Sequence, residues 1–264
     1  MKIKEIIVAL ERFAPLPLQD DYDNSGLQVG LTETEATGAL LCLDVTEAVL
    51  AEARTLGCNM VVSHHPVLFH PLRSLTEHDI NGRCIIKAVQ EDIVIYSSHT
   101  NLDNVKGGVN DRIASILGLS NTKPIVQRTE GNGSGVIGDL SKPIILSELF
   151  QILQDKFTVS VIRHNKCVEK QVQRSAVCGG SGSFLIQDAL KLGADSFITG
   201  EVGYHHFFGF ENIMSLIEIG HYESEQFTIE LLYEVISNSF PSLPLFKTTI
   251  NTNPIEYTCN NNRR

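Results

Sequence analysis

The chain has 264 residues, 42% of them hydrophobic, with Gly and Pro at ordinary levels, which suffices for a full buried core and argues against a disordered protein. Its 21 basic against 31 acidic side chains give a formal charge of −10, so nucleic-acid binding lacks the electrostatic attraction that normally drives it, unless a basic patch lies inside a cavity. No apolar run approaches the roughly 20 residues that cross a bilayer, and Cys42, Cys58, Cys84, Cys167, Cys178 and Cys259 show no C-x-x-C spacing, so a cytoplasmic protein with buried, reduced thiols and no membrane partner is expected.

The chain opens with an amphipathic helix. Ile3, Ile6, Ile7, Leu10 and Phe13 share one face, Glu5, Glu11 and Arg12 interrupt any signal-like run, and Pro15 and Pro17 stop it. The turn-rich DDYDNSG leads to an extended run, Leu27 to Val29. A strand at Leu40 to Leu43 follows, then a helix capped by Thr46, with Val49, Leu50, Ala53 and Leu56 on its apolar stripe and Gly57 at its end. Strands are predicted at Met60 to Val62 and Ile93 to Tyr96, with Ile85 to Val89 in a helix between them. Val109 to Leu117 is a helix ending at Gly118. The second half opens near Gly135 with GVIGDL, a helix at Leu146 to Phe157 and a strand at Val159 to Ile162. Strands at Ala176 to Cys178, Phe197 to Thr199 and Leu216 to Ile219, a helix at Phe184 to Leu192 and a long helix at Phe227 to Ile236 complete it. The tail, Asn260 to Arg264, is the one stretch read as disordered. Alternation of strands and helices with near-continuous apolar strands implies an α/β fold with mostly parallel sheets covered by helices.

Two segments match without a gap. Ala39 to Pro66 aligns with Ser175 to Val202, placing Cys42 on Cys178 and Leu56-Gly57 on Leu192-Gly193. The match resumes with Asp92 to Asp103 on Met214 to Glu225, so that His99 falls on His221 and Asp103 on Glu225. The expectation is an internal duplication into two similar α/β halves, 1–125 and 126–264, with ligand-type side chains gathered beyond the carboxyl ends of strands and a metal site between the halves.

Those side chains are His64, His65, His99, Asp103, His221 and Glu225. Neighbours in an extended segment point to opposite sides, so His64-His65 can serve two ions, or one ion and the interior. Two metals on the order of 3.5–4 Å apart need a bridging carboxylate, and Glu225 reaches further than Asp103. A lone histidine at a strand end is more often hydrogen-bonded than a ligand, and a lone acid is usually a surface charge; several together at equivalent places point to metal. His99 is either a ligand or a hydrogen-bonding neighbour of one. His70, His78 and His164 read as surface residues. His205-His206 do not align with His64-His65 and sit in an aromatic-rich segment read as a packed helix or turn. Gly179-Gly180-Ser181-Gly182 lies between a strand and a helix and is either a phosphate cradle or a tight turn. Asn24 and Ser25 either face a pocket or form a plain turn.

DNSGLQVG, SHHPVLF, SSHTNLD, GGSG, ADSFITGE and GHYESE, in this order over nearly the whole chain, resemble the GTP cyclohydrolase 1 type 2 homologue family, also called the Nif-three-like dinuclear metal proteins. The resemblance implies two similar α/β halves, two divalent metal ions per chain (Zn, Fe or Mn) between them, and toroidal homohexamers. It assigns His64 and Asp103 to one ion, His65 and His221 to the other, and Glu225 to both. The extra domain that longer members insert between the halves is absent from this sequence. The implied function is a metal-dependent hydrolase acting on a nucleotide-like small molecule; His99, near the ions, is the expected catalytic proton carrier. A metal-dependent phosphoesterase and a non-enzymatic metal-binding oligomeric scaffold are the alternatives.

Overall fold

The computed structural model describes residues 1–166 and 170–258. Cys167, Cys259 and the tail from Asn260 to Arg264, all named above, lie outside the described residues. In chain order the elements are α1 (Ile3–Phe13), β1 (Gly26–Val29), β2 (Ala39–Cys42), α2 (Glu47–Thr55), β3 (Met60–Ser63), α3 (Ile80–Gln90), β4 (Val94–Ser97), α4 (Thr100–Asn104) and α5 (Val109–Leu117). There follow β5 (Ser120–Thr129), β6 (Asn132–Ile145), α6 (Leu146–Phe157), β7 (Arg163–His164), β8 (Gln171–Cys178), α7 (Ile186–Lys191), β9 (Ser196–Thr199), β10 (Ser215–Glu218), α8 (His221–Glu225), α9 (Thr228–Ser239) and β11 (Leu245–Lys247).

The chain forms two compact units that do not follow chain order. One comprises Met1–Val109, Arg128–Gly133 and Gln226–Thr252; the other comprises Asn110–Gln127, Ser134–Glu225 and Asn253–Arg264. A division into 1–125 and 126–264 follows chain order and places the segment 226–252 in the second half. That segment carries α9 and β11, and β11 pairs in parallel with β2 of the first unit.

The first unit is built on a five-stranded sheet ordered β1-β4-β3-β2-β11. All its pairings are parallel except the edge strand β1, which runs antiparallel to β4. Every residue of β2, β3 and β4 is buried, as a parallel sheet covered on both faces requires. One core joins Leu40, Cys42, Val61 and Ile95 of the sheet to Val49, Leu50 and Ala53 of α2 and Cys84, Ile85 and Ala88 of α3. Elsewhere α1 packs on α9, and α9 on β2. The α1 periodicity is satisfied there, with Ile3, Ile6, Ile7 and Leu10 buried, each burial worth about 1.5–3 kcal/mol.

The second unit holds a six-stranded sheet ordered β5-β6-β8-β9-β10-β7. Its centre, β8-β9-β10, is parallel, while β6 and β7 join it antiparallel. A mostly parallel sheet therefore describes the first unit and only the middle of the second. The long β5 and β6, joined through Glu130 and Gly131, were not legible as strands. β5 is exposed along nearly all its length and carries Pro124, so it lacks the apolar run that marked the other strands. The strand expected at Val159 to Ile162 is instead Arg163–His164, which pairs with Glu218 and Ile217. Thr158, left-handed at φ 55°, ends α6, and the apolar run after it buries Val159 without joining a ladder.

The duplication is visible bond by bond. Ala39 pairs with Met60 and Ser175 with Ser196, each position shifted by 136 (39 to 175, 60 to 196). The same shift carries the hydrogen bond from Cys58 N to Ala53 O onto that from Ala194 N to Ala189 O, both 2.9–3.1 Å. It also carries Gly57, at φ +71°, onto Gly193, at φ +77°. Both glycines close a helix in the left-handed conformation that costs other residues about 1–2 kcal/mol.

Candidate metal centre

In the first unit the site grows from the ends of β2, β3 and β4. His64 is fully buried, and its Nδ1 lies 2.9 Å from the Ser98 carbonyl oxygen, which makes Nδ1 the donor and turns the Nε2 lone pair away from the backbone. His65 does the same with a carboxylate, Nδ1 standing 2.7 Å from Asp44 Oδ1, while Asp44 Oδ2 accepts from Thr252 Oγ1 at 2.8 Å. His99 repeats the arrangement with Asp23 Oδ1 at 2.7 Å. Asp23 also accepts from the Thr100 backbone amide at 3.0 Å, and from the Thr100 and Ser25 hydroxyls, so one carboxylate ties the DNSG turn to the start of α4. Asn101 and Asn104 fasten that helix by donating to the carbonyls of Ala14 and Leu18.

The result is a cluster of three imidazoles. One ring nitrogen each from His64, His65 and His99 lies within 4.8 Å of the others. Asp103, on α4, brings Oδ1 to 3.7 Å from His64 Nε2. Burial pushes the His99 imidazole below its ordinary pKa, and the neighbouring His64 and His65 add to this, so it stays neutral although its bond to Asp23 works the other way. Burial also raises the Asp23 and Asp44 carboxyls, but hydrogen bonds from His99, Thr100 and Ser25 to the one, and from His65 and Thr252 to the other, outweigh it and hold both below the usual carboxylate range.

The second unit presents a smaller set after β10. His221 and Glu225 are the first and last residues of α8, four apart and so on one helical face. His221 Nδ1 lies 2.9 Å from Glu201 Oε1, and its Nε2 lies 3.0 Å from Glu225 Oε2. Glu225 is buried, with 3% of its surface exposed. A buried carboxylate facing an imidazole nitrogen calls for a proton or a cation between them.

All four histidines of the two sets thus set Nδ1 against an oxygen. Metal-bound histidines are oriented in this way, with the outer oxygen fixing the tautomer. Nitrogen and carboxylate donors fit Zn, Fe or Mn. The structure brings His64, His65, His99 and Asp103 together in the first unit and His221 with Glu225 in the second.

Three orienting carboxylates, Asp23, Asp44 and Glu201, went unread in the sequence. The signal for two of them was positional: Asp44 follows the end of β2, and Glu201 is the repeat partner of His65. Two expectations are corrected. The ladders place Val94 opposite Met60 and Ser215 opposite Ser196, so β4 maps onto β10 with a shift of 121 (94 to 215), one less than assumed. The bonds from Ser98 N to Ser63 O and from Ile219 N to Thr199 O, both 3.0 Å, agree. His221 therefore matches Thr100, and Glu225 matches Asn104. His99 and Asp103 match Gly220 and Ser224. The shared four-residue His-to-acid spacing survives a slide of one residue, which is why the sequence alignment missed it. Secondly, His64 and His65 do not diverge. β3 ends at Ser63 and the chain bends through both residues, leaving the rings 4.9 Å apart.

The open alternatives also resolve. The amides of Gly179, Gly180 and Gly182 donate to Asn110 Oδ1, Ser224 Oγ and Thr199 Oγ1 at 2.9–3.0 Å, so these three glycines serve a tight turn. Asn24 donates to the Leu68 carbonyl and Ser25 to Asp23, so both serve the turn. His205 and His206 are exposed on a short 3-10 helix, Tyr204–Phe207. His70, His78 and His164 are exposed. No helix among the described residues is long and apolar enough to cross a membrane.

A family model described as Duf34/NIF3 (NGG1p interacting factor 3) matches residues 1–254. A GTP cyclohydrolase 1 type 2 homolog of Clostridium perfringens is 36% identical over 229 residues, 85% of this chain and 87% of the relative. Its namesake in Clostridium acetobutylicum is 32% identical over 265 aligned positions, 99% of this chain and 97% of the relative. The crystal structure of a hypothetical protein of Staphylococcus aureus superposes with a TM-score of 0.90 at 27% identity, covering 98% of this chain and 99% of that one.

Proposed function

Because this chain belongs to the Duf34/NIF3 family, we propose that it holds a pair of divalent cations and acts as a metal-dependent hydrolase on a nucleotide-like small molecule. The ligands we assign are His64 and Asp103 for one cation, His65 and His221 for the other, and Glu225 for both. The observation that carries the metal reading is the shared geometry of the four histidines, each with Nδ1 set against an oxygen that fixes its ring.

A bound cation pair supplies hydroxide at neutral pH and polarises the bond under attack. The chain's own residues do the rest. Asp44 and Glu201 hold the rings of His65 and His221 in register, and Asp23 holds His99. Kept neutral by burial, His99 offers Nε2 as the acceptor and later donor of the proton that ring opening must move to nitrogen. The name carried by the relatives supports a purine nucleotide such as GTP as the substrate. The amides of Gly179, Gly180 and Gly182 are engaged within the turn, so they do not hold its phosphates. A cytoplasmic toroidal homohexamer belongs to the same proposal, supported by the family resemblance.

Elemental analysis of purified wild type and Glu225→Ala tests the centre. We expect about two cations per chain in the wild type and a sharp fall in the variant. A wild type free of metal, or a variant that keeps both ions, defeats the assignment. Incubation of the loaded protein with a nucleotide panel tests the chemistry: formate marks ring opening, inorganic phosphate marks the phosphoesterase, and no product across the panel leaves the scaffold.

A further inference from the structure

The two copies of the repeat differ most where the ligands sit, and one difference is a side chain removed. Asp44 lies two residues beyond β2 in the first copy and orients His65. Its counterpart, 136 positions on by the same ladder shift, is Gly180. A Cβ on Gly180 would stand 2.3 Å from Glu225 Oε1, 3.2 Å from Glu225 Cδ and 3.3 Å from His221 Nε2. The backbone cannot retreat. The Gly180 amide donates to Ser224 Oγ at 3.0 Å, and its carbonyl accepts from Glu201 N at 3.0 Å and from Thr199 Oγ1 at 3.1 Å. Gly200, the counterpart of His64, has the same effect on the other side, where a Cβ would lie 2.8 Å from Ser224 Oγ and 2.9 Å from His221 Cα.

We propose that Gly180 is a positioning residue of the metal centre: its bare Cα is the wall on which the buried Glu225 carboxylate rests, fixing the direction in which Glu225 and His221 face a cation. The inference rests on the metal reading above. Divergence after duplication then has a specific content. The first copy carries a carboxylate at this position that orients His65, and the second carries no side chain where Glu225 comes close.

Gly180 is also left-handed, at φ +59°, which disfavours any side chain on backbone grounds alone. Gly193 separates the two effects. Its φ is +77° and nothing lies within 4 Å of a Cβ built there, so Gly193→Ala carries the backbone penalty without the collision. The experiment titrates metal-stripped wild type, Gly193→Ala and Gly180→Ala with Co(II), reading affinity by chelator competition and geometry by the visible ligand-field spectrum. We expect Gly193→Ala to match the wild type. Gly180→Ala should lose affinity by on the order of tenfold or more, with an altered spectrum. Wild-type affinity and spectrum in Gly180→Ala overturn the proposal. A wild type that takes up no cation overturns the metal reading itself, and this inference with it. If Gly180→Ala does not fold, Glu225→Asp and Gly180→Ala/Glu225→Asp are compared. The shorter carboxylate leaves space for the methyl group, so their affinities should agree, and a further tenfold loss on adding the alanine overturns the proposal.

Discussion

Asp23 shows how much a single carboxylate can hold in place. It binds a ring nitrogen, two backbone amides and two hydroxyls, and hydrogen bonds of this kind to a charged group are worth about 1.5–3 kcal/mol each. Its pKa is depressed on folding despite burial, so its contribution is complete above the unfolded value near pH 4 and is lost as the pH falls through the folded one. His99 moves with the opposite charge. Its lowered value means that the unfolded chain takes up this proton first, and stability starts to fall below about pH 6.5. Asp23→Asn in the presence of chelator should cost about 2–3 kcal/mol at pH 7 in urea unfolding. The gap to wild type should narrow progressively below pH 4; a gap that is unchanged at pH 3 would contradict the assignment. The sequence displayed the donors themselves, since histidine and acid after an apolar run are rare enough to notice. It could not display the outer carboxylates, because Asp23 and Glu201 meet their histidines over 76 and 20 residues of chain.

Helices and strands were legible wherever period and punctuation agreed. Thr46 before an apolar stripe and Gly57 after it marked α2, and Thr46 Oγ1 does accept from Val49 N at 3.2 Å. Thr46→Ala should cost about 1 kcal/mol, seen as a lower urea midpoint at unchanged slope; a midpoint that does not move would mean that the cap adds nothing. The repeat counterpart of Thr46 is Gly182, where a Cβ would meet Cys178 Cβ at 2.5 Å, so the second copy has no room for such a cap. The helices α4 and α8 were not read at all. Each spans five residues, less than two turns, and so shows no apolar period. Yet they carry Asp103, His221 and Glu225, so the candidate donors were legible in the sequence while the elements presenting them were not.

Across the whole molecule, composition set class and core size but not the division into units. The repeat suggested halves in chain order, and the return of 226–252 to the first unit has no signature in periodicity, because β11 is three residues long and only half-buried. The thiols behave as their burial dictates. Cys42 is raised well above the ordinary thiol value, and Cys58 and Cys84 are pushed up to about 11, in each case by burial first. At pH 8 a thiol of that acidity is ionised in only about one molecule in a thousand. Peptide mapping after brief iodoacetamide treatment should find these three unmodified in native protein and alkylated in guanidinium. Labelling of Cys58 or Cys84 at the rate of a free thiol would show that they are not shielded.

The pairing of β11 with β2 also sets an order of events during synthesis. A ribosome makes the chain in one direction, so β1 to β4 emerge while the strand that flanks β2 is still untranslated, about 200 codons behind at rates near 5–20 residues per second. For roughly ten seconds or more the nascent protein therefore carries a fully apolar strand with an open ladder, the kind of edge that recruits a neighbouring chain. Until α9 and β11 emerge, that edge is the place where the nascent chain is most open to pairing with another chain.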